Sequence, residues 1–235
     1  MTGVSEIRQR FRELYRNKEF TVSRLGDRTV EIVGASFVAD QTTIFGEINL
    51  DYANAEIEWY NLMSTNIWDI YGETSRRKPP EQWIMSADKE GNINSNYGYL
   101  IYHRDNYSQY TNCLMELVEN ADSRRATMIY QRPNIHYDYR AGGKNDFICT
   151  NAVTYYIRDN KLHCVVQMRS NDAVYGYKND LHWQKHVLYK LRNEYNEKTD
   201  SLLIPGNIYW QVQNLHVYER HFKFLEPVGG IFDDE

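Results

Sequence analysis

Two hydrophobic periods alternate along this chain, and each switch between them marks an element. In residues 4–17, VSEIRQRFRELYRN, the side chains of Ile7, Phe11, Leu14 and Tyr15 share one face at helical spacing, which predicts an amphipathic helix. Residues 28–39, RTVEIVGASFVA, are β-branched and predict a strand. The helical period returns in residues 51–63, where Tyr52, Ala55, Glu56, Trp59, Tyr60 and Met63 form a stripe. It returns again in residues 107–120, lined by Tyr107, Tyr110, Leu114, Leu117 and Val118. Strands are predicted at 126–131, 148–157 and 162–168, then a long helix at 181–195. A last strand is predicted at 207–218, where Ile208, Trp210 and Val212 alternate. Strands and helices mix without a regular βαβ rhythm, so the pattern points to an α+β fold with a large mixed β-sheet flanked by helices. No linker composition and no repeat divides residues 1–235, so a single domain is expected.

Asp159 and Asn160 stand where a two-residue turn would join two of these strands. If Arg158 pairs with Lys161, the register sets Cys149 opposite Ser170, with Arg169 one residue away. A thiol, a hydroxyl and a guanidinium then meet at the open end of the hairpin. Beyond it, RSNDAVYGYKND (169–180) ends an apolar strand in polar side chains. Burying such groups costs free energy unless each finds a partner, so this stretch is either a surface loop or part of a binding site.

Composition narrows the classes. Of 235 residues, 42% are hydrophobic and 14% aromatic, with 20 tyrosines, enough for a sizeable core rich in amphipathic side chains. A formal net charge of -5 argues against direct nucleic-acid binding, although SRRKPP (75–80) and DSRRAT (122–127) are local basic spots. Three cysteines, Cys113, Cys149 and Cys164, form no close pair, so neither a disulfide framework nor a zinc ribbon is expected. No apolar run reaches the ~18 residues of a membrane span, and the N-terminus lacks a signal-peptide apolar region. A soluble, cytoplasmic protein is therefore expected.

Several side chains could carry chemistry. Cys149 is either a buried structural cysteine or a nucleophile whose thiolate Arg169 stabilises. Cys164 shares a strand face with Leu162 and Val166 and reads as core. Glu56 is a carboxylate on an otherwise apolar stripe. It is either a helix-edge residue reaching solvent or a general acid–base tuned by desolvation. His182 and His186 share a helical face, but they lack the zincin glutamate and a third ligand, so no metal site is expected. His216 and Tyr218 share a strand face with Asn214, so the last strand turns polar after Val212, at a solvent-exposed end or on the wall of a cleft. No glycine-rich phosphate loop is present, which leaves arginines to hold any phosphate.

Ordered along nearly the whole chain, a set of short motifs resembles the thymidylate synthase superfamily. They are SRLG at Arg24, EIEWY at Glu56, NIWD at Trp68, NYG at Tyr97, DSRR at 122–125, Cys149, RSNDAVYGYKND, and HVY at 216–218. The blocks EIVGASFVAD, NSNYG, DSRRATMIY and MRSND bring the resemblance nearest to the bacteriophage deoxycytidylate hydroxymethylases of that superfamily. The resemblance implies a thymidylate synthase-like fold and metal-free transfer of a one-carbon unit from 5,10-methylenetetrahydrofolate to carbon 5 of dCMP. Addition of water would give the 5-hydroxymethyl product, for nucleotide biosynthesis and DNA modification. Cys149 would add to carbon 6 of the pyrimidine, and Glu56 would organise water and protons. Arg24, Arg169, Ser170 and Asn171 would hold the nucleotide, the arginines on its phosphate. Arg124 and Arg125 would reach that phosphate from the other subunit of a homodimer with shared active sites. His216 and Tyr218 would hold the sugar hydroxyl, while Trp68, Asp172 and Gly176 would line the folate side. A place in a nucleotide-precursor enzyme complex goes with that role.

Asp180 would set the substrate. Thymidylate synthases carry asparagine at the end of this segment, which matches the ring N–H and carbonyl of uracil. A carboxyl group that accepts from an amino group and shares one proton with a ring nitrogen matches cytosine instead. Left unmatched against uracil, such a buried pair costs ~1–3 kcal/mol. Standing alone, Asp180 is also a good helix N-cap before Leu181. The chain departs from the synthases at Thr150, where histidine is usual, at GYKND in place of GLPFN, and in its acidic tail EPVGGIFDDE. A dCMP methylase, a synthase acting on dUMP, and a catalytically silent nucleotide-binding subunit remain as alternatives.

Overall fold

The first helical stripe folds as α1 (Val4–Arg16), burying Val4, Ile7, Phe11 and Leu14. The Glu6 carboxylate accepts from the Gly3 N–H at 2.9 Å, which satisfies one of the free donors of the first turn. The computed structural model describes residues 2–22, 26–72 and 75–226, so Arg24 and the acidic tail from residue 227 lie outside the described residues. The helix packs on β2 (Arg28–Val38), a strand of the central sheet. The other strands are β1 (Thr21–Val22), β3 (Thr127–Ile129), β4 (Thr150–Arg158), β5 (Lys161–Met168), β6 (Asn171–Asp172) and β7 (Ile204–Tyr218). Their order is β1-β2-β7-β5-β4-β3, with β6 beside β7. Both β5 and β6 run parallel to β7, and the remaining pairs are antiparallel, so the sheet is mixed. A parallel pair needs a crossover, and α7 (Gly176–Thr199) supplies it.

Cross-strand rows divide the sheet into two unlike faces. Phe37, Trp210, Val166, Val153 and Met128 are neighbours from strand to strand, and all are buried. The adjoining row on the other face is Ser36, Gln211, Gln167, Ala152 and Ile129, and of these only Ala152 is even partly covered. The apolar face carries α2 (Leu50–Leu62), α4 (Tyr97–Tyr102), α5 (Gln109–Glu119) and α7, which pack on one another and on the sheet. Helix α4 rides directly on α2: a Cβ on Gly98 would fall 1.7 Å from the Tyr60 carbonyl oxygen. The short α3 (Glu81–Ser86) and α6 (Ile135–Asp138) border the open end of the sheet. Both come from segments without a hydrophobic period, and neither is predicted by pattern. Among the described residues, no helix is long and apolar enough to cross a membrane.

Two irregularities in the strands shape the open end of the sheet. The hairpin turns at Asp159 (φ 50) and Asn160 (φ 57), and Arg158 pairs with Lys161 as expected. Ala152 then pairs with Gln167, but Thr150 pairs with Met168, so one extra residue bulges from β4. The shift corrects the expected register. Arg169, and not Ser170, stands opposite Cys149, and its N–H donates to the Cys149 carbonyl at 2.9 Å. The second irregularity is shared by β2 and β7. Ile208, Trp210 and Val212 are buried, and beyond them the buried positions become Leu215 and Val217. Gly34, on the partner strand between the Val33–Asn214 and Ala35–Val212 pairs, has φ +72. This conformation is open to glycine at little cost, and it lets both strands change phase together.

Candidate active site

A cavity of about 1130 Å³ opens where β4, β5, β6 and β7 end beneath α2, α3 and the start of α7. The phase change in β7 brings His216 and Tyr218 onto its wall. His216 Nδ1 lies 3.0 Å from Asn214 Oδ1, and its ring meets the Tyr218 ring edge-on at 4.8 Å. His216 and Tyr218 thus stand on the wall of a cleft.

Cys149 ends the loop that enters β4 and lines the same cavity. Arg169 lies across from it. The guanidinium gives Nε to the Ile148 carbonyl at 2.8 Å and Nη2 to the Phe147 carbonyl at 2.5 Å, and Nη2 is 3.6 Å from Cys149 Sγ. Burial pushes the thiol up to about 11, Arg169 opposes this, and the charges of Asp180 and Asp146 add to it. Asp146 is a fixed carboxylate beneath the loop. It accepts from the backbone N–H groups of Asn94 and Ser95 at 2.6 and 2.8 Å and from the Ser95 hydroxyl at 2.6 Å. Those bonds tie the cysteine loop to the N-terminal end of α4.

Glu56 is buried on α2 and faces the cavity. Tyr52, one turn earlier, donates its hydroxyl to Glu56 Oε1, and the Trp83 indole donates to Tyr52 at 2.9 Å and to Glu56 at 3.3 Å. Burial pushes the carboxyl up to about 7, with the bonds from Tyr52, Trp83 and Tyr60 holding it down. A group poised there can both take and give a proton near neutral pH. Tyr52 could have been read from its place four residues before Glu56 on the same stripe. Trp83 and Asp146 sit in stretches without periodicity, and no sequence signal marks them.

Asp180 is not a helix N-cap. α7 begins at Gly176, ahead of the predicted start, so Asp180 lies inside the helix, where it lines the cavity. Burial raises it to about 8, the charge of Glu56 adds to this, and hydrogen bonds from Asn171 and Tyr97 oppose it. Asn171, expected to hold substrate, lines the cavity and is tied to two other side chains. It is 3% exposed, gives Nδ2 to Asp180 Oδ2 at 2.7 Å, and accepts from the Trp210 indole at 3.2 Å. Gly176 leaves room for this pair, since a Cβ there would come 2.8 Å from Asn171 Nδ2.

Ser170, Asp172 and Gly176 also line the cavity. Asp172 Oδ1 accepts from the Val174 N–H at 2.7 Å, while Oδ2 is buried with no partner among the described residues. Trp68 does not join the wall. The 3-10 turn Ile67–Asp69 buries Ile67 and sends Trp68 outward, 52% exposed, over Gly91. The indole that reaches the cavity is Trp83. Arg124 and Arg125 are exposed in the loop before β3 and stand apart from the cavity wall of their own chain, with Arg125 paired to Glu116 at 3.0 Å. His182 and His186 bridge from α7 to Asn54 and Asn61 on α2, at 3.0 and 3.5 Å.

A thiol, two proton-binding carboxyls, an arginine and an unpartnered acceptor around one cavity suit nucleophilic and acid–base work. A family model described as Thymidylate synthase matches residues 44–228. The deoxycytidylate 5-hydroxymethyltransferases of Enterobacteria phages T4 and T2 are each 48% identical over 224 residues, covering 95% of this chain and 89% of the relative. The thymidylate synthase of Fusobacterium nucleatum subsp. nucleatum is 28% identical over 177 residues, covering 74% of this chain and 59% of that enzyme.

Proposed function

The chain belongs to the thymidylate synthase family, and from that premise we propose that it is a deoxycytidylate 5-hydroxymethyltransferase. It converts dCMP, 5,10-methylenetetrahydrofolate and water to 5-hydroxymethyl-dCMP and tetrahydrofolate. The observation that carries this reading is Asp180, a buried carboxyl that keeps a proton near neutral pH on the wall shared with Cys149. A carboxyl group with one proton to share can meet both the amino group and the unprotonated ring nitrogen of cytosine when that proton sits on the oxygen facing the ring nitrogen.

Cys149 adds to carbon 6 of the ring, which makes carbon 5 nucleophilic. The thiol keeps its proton in the free site, so it ionises as the nucleotide engages, with Arg169 3.6 Å away to support the charge. The folate supplies a one-carbon unit at the oxidation level of formaldehyde. Asp172, whose Oδ2 is buried without a partner among the described residues, and Gly176 are the cavity residues that would hold its pterin. Glu56 moves protons at carbon 5 and at the water that adds to the exocyclic carbon. His216 and Tyr218 hold the sugar. Arg169 and Ser170 meet the phosphate with Arg24, and Arg124 and Arg125 reach it from a second copy of the chain. The uncovered sheet face, Ser36 to Ile129, is the surface on which that copy would sit. A bacteriophage source, work in the host cytoplasm, a single domain across residues 1–235 and a place among nucleotide-precursor enzymes go with this reading.

The test follows the oxygen. Incubation with dCMP, methylenetetrahydrofolate and ¹⁸O-water is expected to place one labelled oxygen on the product, detected by mass spectrometry. An unlabelled methyl product with a rise in dihydrofolate absorbance would reject the water route in favour of a methylase.

A further inference from the structure

Granted that Asp180 reads the base, a carboxyl that keeps its proton poses a problem of selection. The neutral group has one accepting oxygen and one donating O–H. With the O–H facing ring nitrogen N3 and the accepting oxygen facing position 4, it matches cytosine, which offers a lone pair at N3 and an N–H at position 4. Move the proton to the other oxygen and the same group matches uracil, which offers an N–H at N3 and a lone pair at O4. A neutral Asp180 therefore selects neither base unless something decides which oxygen carries the proton.

Asn171 stands where it can decide this. Its Nδ2 donates to Oδ2 of Asp180 at 2.7 Å, and its Oδ1 accepts from the Trp210 indole at 3.2 Å. An indole N–H only donates, so the amide cannot turn over without setting donor against donor. Trp210 is 0% exposed and Asn171 3%, so water does not replace a lost bond cheaply at either. The other neutral partner of Asp180 is the Tyr97 hydroxyl, which takes a bond from Thr150 Oγ1 at 3.0 Å. A hydroxyl can rotate to donate or to accept, so Tyr97 follows the proton wherever it sits. The Asn171 amide has no such freedom. Glu56 and Asp172 act on Asp180 through their charge.

We propose that Asn171, held by Trp210, is a positioning residue that reserves Oδ2 of Asp180 as an acceptor and sends the proton to Oδ1, so that the neutral acid reads cytosine and rejects uracil. The carbonyl oxygen of a carboxylic acid accepts a hydrogen bond more strongly than its hydroxyl oxygen. The amide thus favours the form protonated at Oδ1, and this form reads cytosine in the pose we propose, in which Oδ2 faces position 4 of the base and Oδ1 faces N3.

The experiment compares kcat/KM for dCMP and dUMP, each with methylenetetrahydrofolate, by tritium released from carbon 5, in Asn171→Leu, Trp210→Phe and Asp180→Asn. Asn171→Leu removes the one-way donor and is expected to raise the dUMP/dCMP ratio on the order of tenfold, through an absolute gain with dUMP. A packing defect lowers both substrates and cannot produce that gain. Trp210→Phe keeps the amide but frees it to turn, so a smaller rise in the same direction is expected, and this variant carries the test if Asn171→Leu does not fold. Equal losses on both substrates in these variants, with Asp180→Asn still shifting preference to dUMP, would overturn the proton lock and leave the reading of Asp180 standing. No shift in Asp180→Asn would remove that reading, and the lock with it.

Discussion

Glu56 and Asp180 bind their protons more tightly in the fold than free carboxylic acids do, at about 7 and about 8, because burial penalises the ionised form. This sets a sign for stability. Between pH ~4 and ~8 the unfolded chain has both groups ionised while the folded chain resists ionising them, so stability falls as pH rises through that window. Glu56→Gln and Asp180→Asn are therefore expected to stabilise the fold at pH 9, each by about 1–3 kcal/mol and with a raised melting temperature, and to change it little at pH 4. Thermal unfolding of the unliganded protein at the two pH values checks this, and a larger gain at pH 4 would contradict the assignment. Retaining two such acids at a stability cost is the pattern expected where function requires the proton.

At the scale of elements, the site depends on backbone departures more than on regular structure. The bulge in β4 turns Arg169 toward Cys149, and the shared kink at Gly34 turns His216 and Tyr218 from the packed side to the cavity. Gly34→Ala meets no neighbour within 4 Å, so its cost is the left-handed backbone alone, about 1–2 kcal/mol. Gly98→Ala is a different case. Its Cβ would lie 1.7 Å from the Tyr60 carbonyl, so α4 must lift off α2. A loss of at least ~3 kcal/mol is expected, with Glu56 displaced and activity lost alongside stability. Denaturant midpoints and turnover of the two variants separate these outcomes.

For the whole molecule, the issue is where the second set of arginines belongs. Arg124 and Arg125 stand apart from the cavity of their own chain, and among the described residues the row Ser36, Gln211, Gln167 and Ile129 on one face of the sheet is exposed. In a dimer built on that face, each site draws residues from both copies. Arg124→Glu and Cys149→Ser should each be inactive alone. Mixed after co-refolding, they should recover up to about a quarter of wild-type activity, because half the dimers are mixed and each mixed dimer holds one intact site. Additive, near-zero activity in the mixture would place every needed group within one chain.

The long elements were legible in the sequence because their side chains repeat with the period of the structure they form. Tyr52, Glu56, Trp59 and Tyr60 announce α2, and the Asp159–Asn160 turn announces the hairpin, since both signals are local. Glu56 was legible for a related reason: a charge on an apolar stripe is anomalous before any contact is known. The ordered motifs carried Cys149, Arg169 and Asp180 into a single site through resemblance. What tertiary structure alone decided is the geometry at the joins. The β4 bulge made Arg169 the neighbour of Cys149, the early start of α7 put Asp180 on a cavity wall, and Trp210, 39 residues from Asn171, fixed its amide. Trp68 went outward and Trp83 inward for the same reason. Register, helix phase and side-chain partnership depend on contacts between distant segments, and the free energies that choose among them appear only when the chain is packed.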